Sequence, residues 1–281
     1  MKLALLCTLL TEENSMLLKA AEAKGIDAEL ILDLTFTPDL TSSLASPPDV
    51  VLQRSSSFSR SLYTTKLLED AGVPVVNCHA VQAICGDKAL TTLTLSKAGI
   101  PTPKTKLAFS RESALEAMKE IGYPVVIKPV VGSWGRLLAK VNDEEVARAV
   151  LEHKEQLGSY MHKVYYLQEY VKKPGRDIRA IVVGDEVACA IYRHSNNGGW
   201  ITNVARGAKG KPCEITDELK EICLKAATAV GGGILGVDVM ESERGLLVHE
   251  INHAVEFKGA VATTGLDIAG KVIEYTASIC S

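Results

Sequence analysis

The first third of the chain alternates short apolar runs with amphipathic segments, an order that few folds accept. "KLALLCTLL", "AELILDL", "PDVVLQRS" and "PVVNC" read as strands. "SMLLKAAEAKG" and "LYTTKLLEDAG" read as helices that stop at Gly25 and Gly72 before the next strand. Strand and helix in turn predict a small open α/β sheet over residues 1–87. The opening "MKLALLCTLL" has only about eight apolar residues before "TEENS" and no small-residue cleavage site after them, so a first β-strand is expected rather than a signal peptide.

The pattern changes after "CGDKALTTLTLSKAGIPTPKT". A helix, two strands joined by the glycine loop of "YPVVIKPVVGSWGRLLAKV", a helix through "EEVARAVLEHKEQLG" and the strand "KVYYLQEYV" predict a central α+β unit over 88–170. Strands "DIRAIVV" and "VACAIYR", a helix from Asp217 to Val230 and a hairpin around "ESERG" predict a third unit over 171–281. No stretch approaches 18 apolar residues, so no membrane span is expected. Net charge is −3, from 31 basic and 34 acidic residues, which argues against a general nucleic-acid binder. Seven cysteines without a CxxC pair fit reduced thiols in a cytoplasmic protein.

The hairpin holds the first candidate site. With Met240 opposite Leu246, Asp238 faces Val248 and lies diagonal to Glu250, about 7 Å away at the backbone. Asp238, Glu250 and Asn252 then share one face, and two carboxylates with an amide oxygen suit a hard cation such as Mg²⁺. A half-exposed hairpin with a solvated polar face has the same pattern, and a one-residue slip would turn Asp238 away. His249, of odd parity, is expected to face away from Glu250, and His253 is a substrate-contact candidate. In "IKPVVGSWGRLLAK", Gly132, Ser133 and Gly135 suit a loop whose N–H groups approach an anion, and Lys128 adds a point charge. It is not a P-loop, and an ordinary glycine hairpin would look alike. "YLQEYVKKPGRDIR" offers a strand end and the charges Asp177 and Arg179 for a nucleotide, or else a solvated loop with ion pairs. Arg193, Asn203 and Arg206 lie near glycine-rich sequence, and arginine suits carboxylate and phosphate as well as a plain surface. Cys85 reads as packing, and no serine nucleophile elbow is present.

Taken in order, "CGDK", "IKPVVGSWGRL", "QEYV", "GRDIR", "WITNVARG", "GVDV" and "HEINHAVEFKG" resemble the ATP-grasp superfamily, more narrowly its LysX/ArgX branch near the RimK-type glutamate ligases. The resemblance spans essentially the whole chain. It implies an α/β (α+β) ATP-grasp fold with ATP between the central and C-terminal units. Lys88 and Lys128 would meet phosphates, and the Gly132, Ser133, Trp134, Gly135, Arg136 loop would close over them. Gln168, Glu169, Tyr170 and Val171 would hold adenine, with Asp177 near the ribose and Arg179 among the other cofactor-binding residues. Asp238, Glu250 and Asn252 would bind Mg²⁺, while Arg193, Asn203 and Arg206 would surround the transferred phosphate and the substrate carboxylate.

The implied reaction activates a carboxylate as an acyl phosphate, which an amine attacks to give an amide. In LysX-like proteins the carboxylate is the C-terminal glutamate side chain of the acidic carrier LysW, and the amine is 2-aminoadipate, in lysine biosynthesis. ArgX-like relatives use glutamate, in arginine biosynthesis. A RimK-like ligase would instead add glutamate to a ribosomal protein or a cofactor tail. Gly259 and Ala260 stand where the two branches differ, and Ala260 leaves room for one more methylene, which discriminates by only about 1–3 kcal/mol; dual use is consistent with this. A basic surface of Arg54, Arg60 and Lys66 is expected to meet the carrier tail. A homo-oligomer, dimer or tetramer, is the expected assembly.

Overall fold

A computed structural model describes residues 1–44, 46–132, 137–157, 163–195 and 209–280. The first sheet has the order β2-β1-β3-β4, all parallel, from β1 (Lys2–Cys7), β2 (Asp27–Leu32), β3 (Val50–Arg54) and β4 (Val75–Val76). Helices α1 (Glu12–Ala23) and α2 (Phe58–Asp70) cross over between its strands, capped by Thr11 and Ser57. Leu3, Leu5, Val50 and Leu52 pack on Leu17 and Ala21 of α1, while Ala4, Leu6 and Val51 meet Leu68 of α2. Burial on both faces explains why β1 and β3 read as continuous apolar runs.

Helices α3 (His79–Cys85) and α4 (Lys88–Lys97) lead into an antiparallel sheet of order β5-β8-β6-β7. Its strands are β5 (Thr105–Ala108), β6 (Val125–Lys128), β7 (Ala139–Val141) and β8 (Tyr165–Glu169). The amphipathic α5 (Arg111–Ile121) and α6 (Glu144–Leu157) cover one face. Val125, Ile127, Tyr165 and Leu167 point into that core with Leu115, Met118 and Leu151. With a period of two, Val126, Lys128, Tyr166 and Gln168 take the other face.

The third sheet is antiparallel, in the order β11-β10-β9-β12-β13. It comprises β9 (Arg176–Val183), β10 (Glu186–His194), β11 (Lys209–Pro212), β12 (Ile234–Ser242) and β13 (Gly245–Asn252). On one face Ile178, Ala180, Val182, Val237, Val239, Val248 and Ile251 pack on Leu219, Ile222, Cys223 and Ala226 of α7 (Asp217–Val230). On the other, Ile181, Val183, Cys189, Ile191 and Ile234 pack with residues of α8 (Lys258–Thr264) and α9 (Ile268–Ser278). Helix α9 also packs on α1 and β3, so this cluster ties the first sheet to the third.

The hairpin β12–β13 corrects the expected register. Met240 pairs with Leu247 and Glu241 with Leu246, a slip of one residue, and a bulge then sets Asp238 directly opposite Glu250. Val248 and Ile251 both face α7, which leaves two residues, His249 and Glu250, between them. The extra residue restores Glu250 and Asn252 to the face of Asp238, because Gly236 lies opposite Asn252. Parity counting through a bulge is what fails for His249.

Candidate active site

Only part of the second face of the third sheet is covered by α8 and α9. Beyond that cover the same alternating positions turn charged: Arg193 on β10, Asp177 and Arg179 on β9, Asp238 on β12 and Glu250 on β13. Arg193 is opposite Asp177, Arg179 opposite Asp238, and Asp238 opposite Glu250, so the row crosses four strands. Asp238, Asp177 and Arg193 are buried. Arg193 Nε donates to Asp177 Oδ1 at 2.8 Å, and its Nη2 lies 3.0 Å from Asp238 Oδ2. Arg179 donates to both Asp238 oxygens, from Nη2 at 2.9 Å to Oδ2 and from Nε to Oδ1. Lys173 Nζ reaches Asp177 Oδ2 at 3.5 Å.

Burial opposes the charge on Asp238, but Arg179 and Arg193 outweigh it and hold this carboxyl well below the usual range. Burial also opposes the charge on Arg193, and Asp238 and Asp177 more than compensate, so the guanidinium stays protonated. Burial, followed by the positive charge of Lys128, keeps His249 neutral, well below its ordinary pKa. Neither ring nitrogen of His249 has a hydrogen-bond partner among the described residues. His249 and Glu250 together oppose Asp238 across the bulge, so the bulge residue belongs to the charged row rather than to the opposite face.

Facing this row is the inner face of the second sheet. Lys128 is 6% exposed and donates to Gln168 Oε1 at 2.7 Å. Gln168 Nε2 in turn donates to the Tyr166 hydroxyl at 2.8 Å, which lies 2.7 Å from Thr92 Oγ1. Burial pushes Tyr166 up to about 12 and Lys128 down to about 8; Glu250 supports the ammonium and Lys88 opposes it. Lys88 is the first residue of α4, whose N-cap Asp87 accepts from Ala89 and Leu90. The Lys88 Nζ lies 3.4 Å from Glu250 Oε1 and donates to the Gly132 carbonyl at 2.6 Å. One lysine thus bridges the glycine loop to the third sheet. Gly132 has φ +142°, a conformation that favours glycine.

Asp238, Glu250 and Asn252 present oxygen donors along one face, a set that suits a hard divalent cation completing its shell with phosphate and water. Among the described residues no group of three His, Cys, Asp or Glu side chains converges on a metal position. A cation here would therefore rest on two carboxylates and an amide and share Asp238 with its arginines. The Asn252 Nδ2 donates weakly to the Gly236 carbonyl, at 3.4 Å.

A RimK-like ATP-grasp domain is matched over residues 85–276, two thirds of the chain, and a LysX preATP-grasp domain over 3–84. The chain belongs to the RimK-like ATP-grasp family. It is 42% identical over 243 residues to the alpha-aminoadipate–LysW ligase LysX of Saccharolobus solfataricus, covering 86% of this chain and 87% of that one. To the glutamate–LysW ligase ArgX of Sulfurisphaera tokodaii it is 34% identical over 276 residues, 98% of each chain. Among solved structures, a RimK-domain ATP-grasp protein from Sphaerobacter thermophilus superposes with TM-score 0.84 at 26% identity, covering 98% of this chain and 99% of that one. D-alanine–D-alanine ligase from Bacillus anthracis, complexed with ATP, shares the fold at TM-score 0.73 and 18% identity, covering 100% of this chain and 98% of that one. As a member of this family the chain is an ATP-dependent ligase, and the expected α/β ATP-grasp fold holds.

Of the expected site residues, Lys88, Lys128, Gly132 and Gln168 lie on the side of the second sheet, and Asp177, Arg179, Arg193, Asp238, Glu250 and Asn252 lie on the third sheet, with Lys88 joining the two sides. Ser133, Trp134, Gly135, Arg136, Asn203 and Arg206 lie outside the described residues. At the end of β8, the N–H groups of Glu169 and Tyr170 donate to Lys104 and Pro124, and Val171 is buried. The Glu169 side chain is held by Lys104 N–H at 2.7 Å and by Arg244. Asp177 is enclosed by Lys173 and Arg193 rather than set in a solvated loop. His253 lies against Phe58, with ring centroids 6.1 Å apart, and burial, then Arg54, lowers its pKa to about 4. Gly259 is exposed, whereas Ala260 is buried in the apolar cluster of α8 and α9, away from the charged row.

The expected basic surface is reduced. The Arg54 side chain is only 10% exposed and is spent on Glu13 and the Val255 carbonyl. Lys66 pairs with Asp70 on the α2 surface, and Arg60 lies 3.2 Å from Asp33. Lys173, Tyr166 and His249 went unnoticed in the sequence as members of the cleft. Tyr166 shares the parity of Gln168 and was within reach of the strand pattern; Lys173 and His249 depend on a turn and a bulge that no short pattern marks.

Proposed function

We propose that the chain joins the α-amino group of 2-aminoadipate to the side-chain carboxylate of the C-terminal glutamate of a LysW carrier, using ATP and Mg²⁺, through an acyl phosphate. The observation that carries this reading is the 42% identity, over 86% of the chain, to a ligase of that name. The opposed charged faces supply what such a reaction needs.

In this reading Lys128 and Lys88 take ATP phosphates, with the Gly132–Arg136 loop over them and Gln168 to Val171 around adenine. Asp177 lies toward the ribose side, held by its ion pairs, and Arg179 is a further cofactor contact that also holds Asp238. Asp238, Glu250 and Asn252 hold Mg²⁺, which when bound neutralises charge building on the transferred phosphoryl group. Arg193, fixed in position and protonated, offers its guanidinium to the acyl phosphate and to the anionic tetrahedral species, with Asn203 and Arg206. Burial of Lys128 and Arg193 keeps water from the acyl phosphate, which water would hydrolyse. The amine end lies toward His253 and Gly259, with Ala260 packed behind them. No enzyme nucleophile is required; burial pushes the Cys85 and Cys223 thiols up to about 12, where they are unreactive.

Residues 1–87, 88–170 and 171–281 act as three units around this cleft, in a dimer or tetramer, in the cytoplasm. All seven cysteines are free, and no helix among the described residues is long and apolar enough to cross a membrane. Glutamate is the competing amine, favoured by the 98% coverage of the match to the glutamate–LysW ligase. The test is incubation of purified protein with LysW, ATP and each amino acid. A gain in carrier mass by one aminoadipate residue supports the proposal. A gain with glutamate alone transfers it to the competing amine, and no gain with either refutes both.

A further inference from the structure

Directly after Asn252 the chain runs as a strap across the carboxyl end of the first sheet, and every second residue of it is held there. Asn77, which follows β4, donates from Nδ2 to the His253 carbonyl at 2.6 Å. At the end of β3, Arg54 donates from Nη1 to the Val255 carbonyl at 2.8 Å. Glu13, in the first turn of α1, accepts from the N–H groups of Phe257 at 2.5 Å and Lys258 at 2.6 Å. The Arg54 guanidinium also lies 3.6 Å from Glu13 and over the Phe257 ring. The side chains of Val255 and Phe257 are buried between these anchors.

Asn77 does more than hold the strap. The same Nδ2 donates to the Ile234 carbonyl at 2.7 Å, and Oδ1 accepts the Ile234 N–H at 2.7 Å. Its amide therefore lies between the first residue of β12 and the residue that follows β13. Gly236 and Asn252 form the last pair of that hairpin, and the Asn77 amide supplies the next connection in place of a backbone rung. Fit is close: a Cβ on Gly233 would collide with Asn77 Oδ1. Asn77 is buried, its backbone carbonyl accepts from Gln82 Nε2, and the bonds to Ile234 and His253 hold its side-chain amide.

Resting on the reading of Asp238, Glu250 and Asn252 as cation ligands, we propose that Asn77 is a positioning residue for the cation end of the active site. It fixes the spacing of β12 and β13 one pair beyond Asn252, and so sets Asn252 and Glu250 against Asp238 from the first sheet. Arg54 and Glu13 keep the strap from sliding. The adenine end, on β8, is carried by a different sheet and does not depend on these bonds.

The experiment uses the full chain with ADP and Mg²⁺ alone, so it is independent of carrier and amino acid and survives a wrong substrate assignment. Mg²⁺ is titrated at fixed ADP while the melting temperature is followed, and ADP affinity without Mg²⁺ is measured by calorimetry. For Asn77→Ala and Asn77→Asp, which lose both donor bonds, the Mg²⁺ concentration for half of the ADP-dependent rise increases about tenfold. Metal-free ADP affinity stays within about twofold. If these variants do not fold, Arg54→Lys, which gives up the Val255 carbonyl and the guanidinium over Phe257 while keeping a positive charge near Glu13, carries the test, with an increase of about threefold. A folded variant that melts lower but keeps the wild-type Mg²⁺ half-saturation overturns the proposal and leaves Asn77 as packing alone.

Discussion

Lys128 sits at 6% exposure with one neutral hydrogen-bond partner, Gln168, and with Lys88 and Lys173 among its neighbours. Its pKa, pushed down from 10.5 to about 8, corresponds to a folding cost of about 3 kcal/mol while the lysine is charged. Between pH 8 and 10.5 the unfolded chain binds more protons than the folded one, so apo stability rises with pH there and is lowest below 8. Lys128→Met removes the buried charge. Its apo protein should melt higher than wild type in a thermal scan near pH 7, while ATP binding falls at least about tenfold by calorimetry. ATP affinity of the wild type should be flat below pH 8 and weaken above it, because phosphate then meets a neutral amine; the variant should show no such break. Arg54 carries the same burial cost, which lowers its pKa, but it has charged and carbonyl partners that Lys128 lacks. Its guanidinium is enclosed by Glu13 and the Val255 carbonyl, so Arg54→Ala should cost about 2 kcal/mol of stability, read by denaturant unfolding. A surface residue would leave the unfolding midpoint unchanged.

Strands and helices were legible where one pattern governed one element. The parallel runs of the first sheet, the helix from Asp217 to Val230 and the alternation that puts Lys128 and Gln168 on one face all follow from apolar period. The hairpin was legible in content but not in register. A turn one residue shorter than expected and an extra residue at His249 cancel for Glu250 and Asn252, and leave His249 in the row it was expected to avoid. Asp177 was visible as a carboxylate, but its enclosure by Lys173 and Arg193 is a matter of two strands and a loop meeting and is not written in any one of them. Helix α8 likewise could not be oriented from sequence: Gly259 and Ala260 look like one specificity pair, yet the first is exposed and the second is core. Ala260→Phe should therefore act by overpacking, lowering stability by about 1–3 kcal/mol and reducing turnover of both amino acids alike. A selective loss of the longer amino acid at unchanged melting temperature would put Ala260 in the substrate pocket instead.

At the scale of the molecule, the proposed site is divided between two sheets that present its opposite halves. Lys128 and Gln168 come from the second sheet, while Arg193, Asp238 and Glu250 come from the third, and Lys88 spans them through Gly132 and Glu250. Order of motifs along the chain made this convergence readable before any contact was known, because each half is contiguous in sequence. What sequence order did not convey is the part of the first sheet, which grips residues 253–258 directly after Asn252. The central claim, carboxylate–amine ligation on a carrier, is tested most directly by intact-mass spectrometry of LysW after incubation with the enzyme, ATP, Mg²⁺ and an equimolar mixture of 2-aminoadipate and glutamate. The predicted result is a carrier heavier by one aminoadipate residue, with ADP released in equal amount and no gain when ATP is omitted. Unmodified carrier in the presence of a folded, ATP-binding enzyme would contradict it.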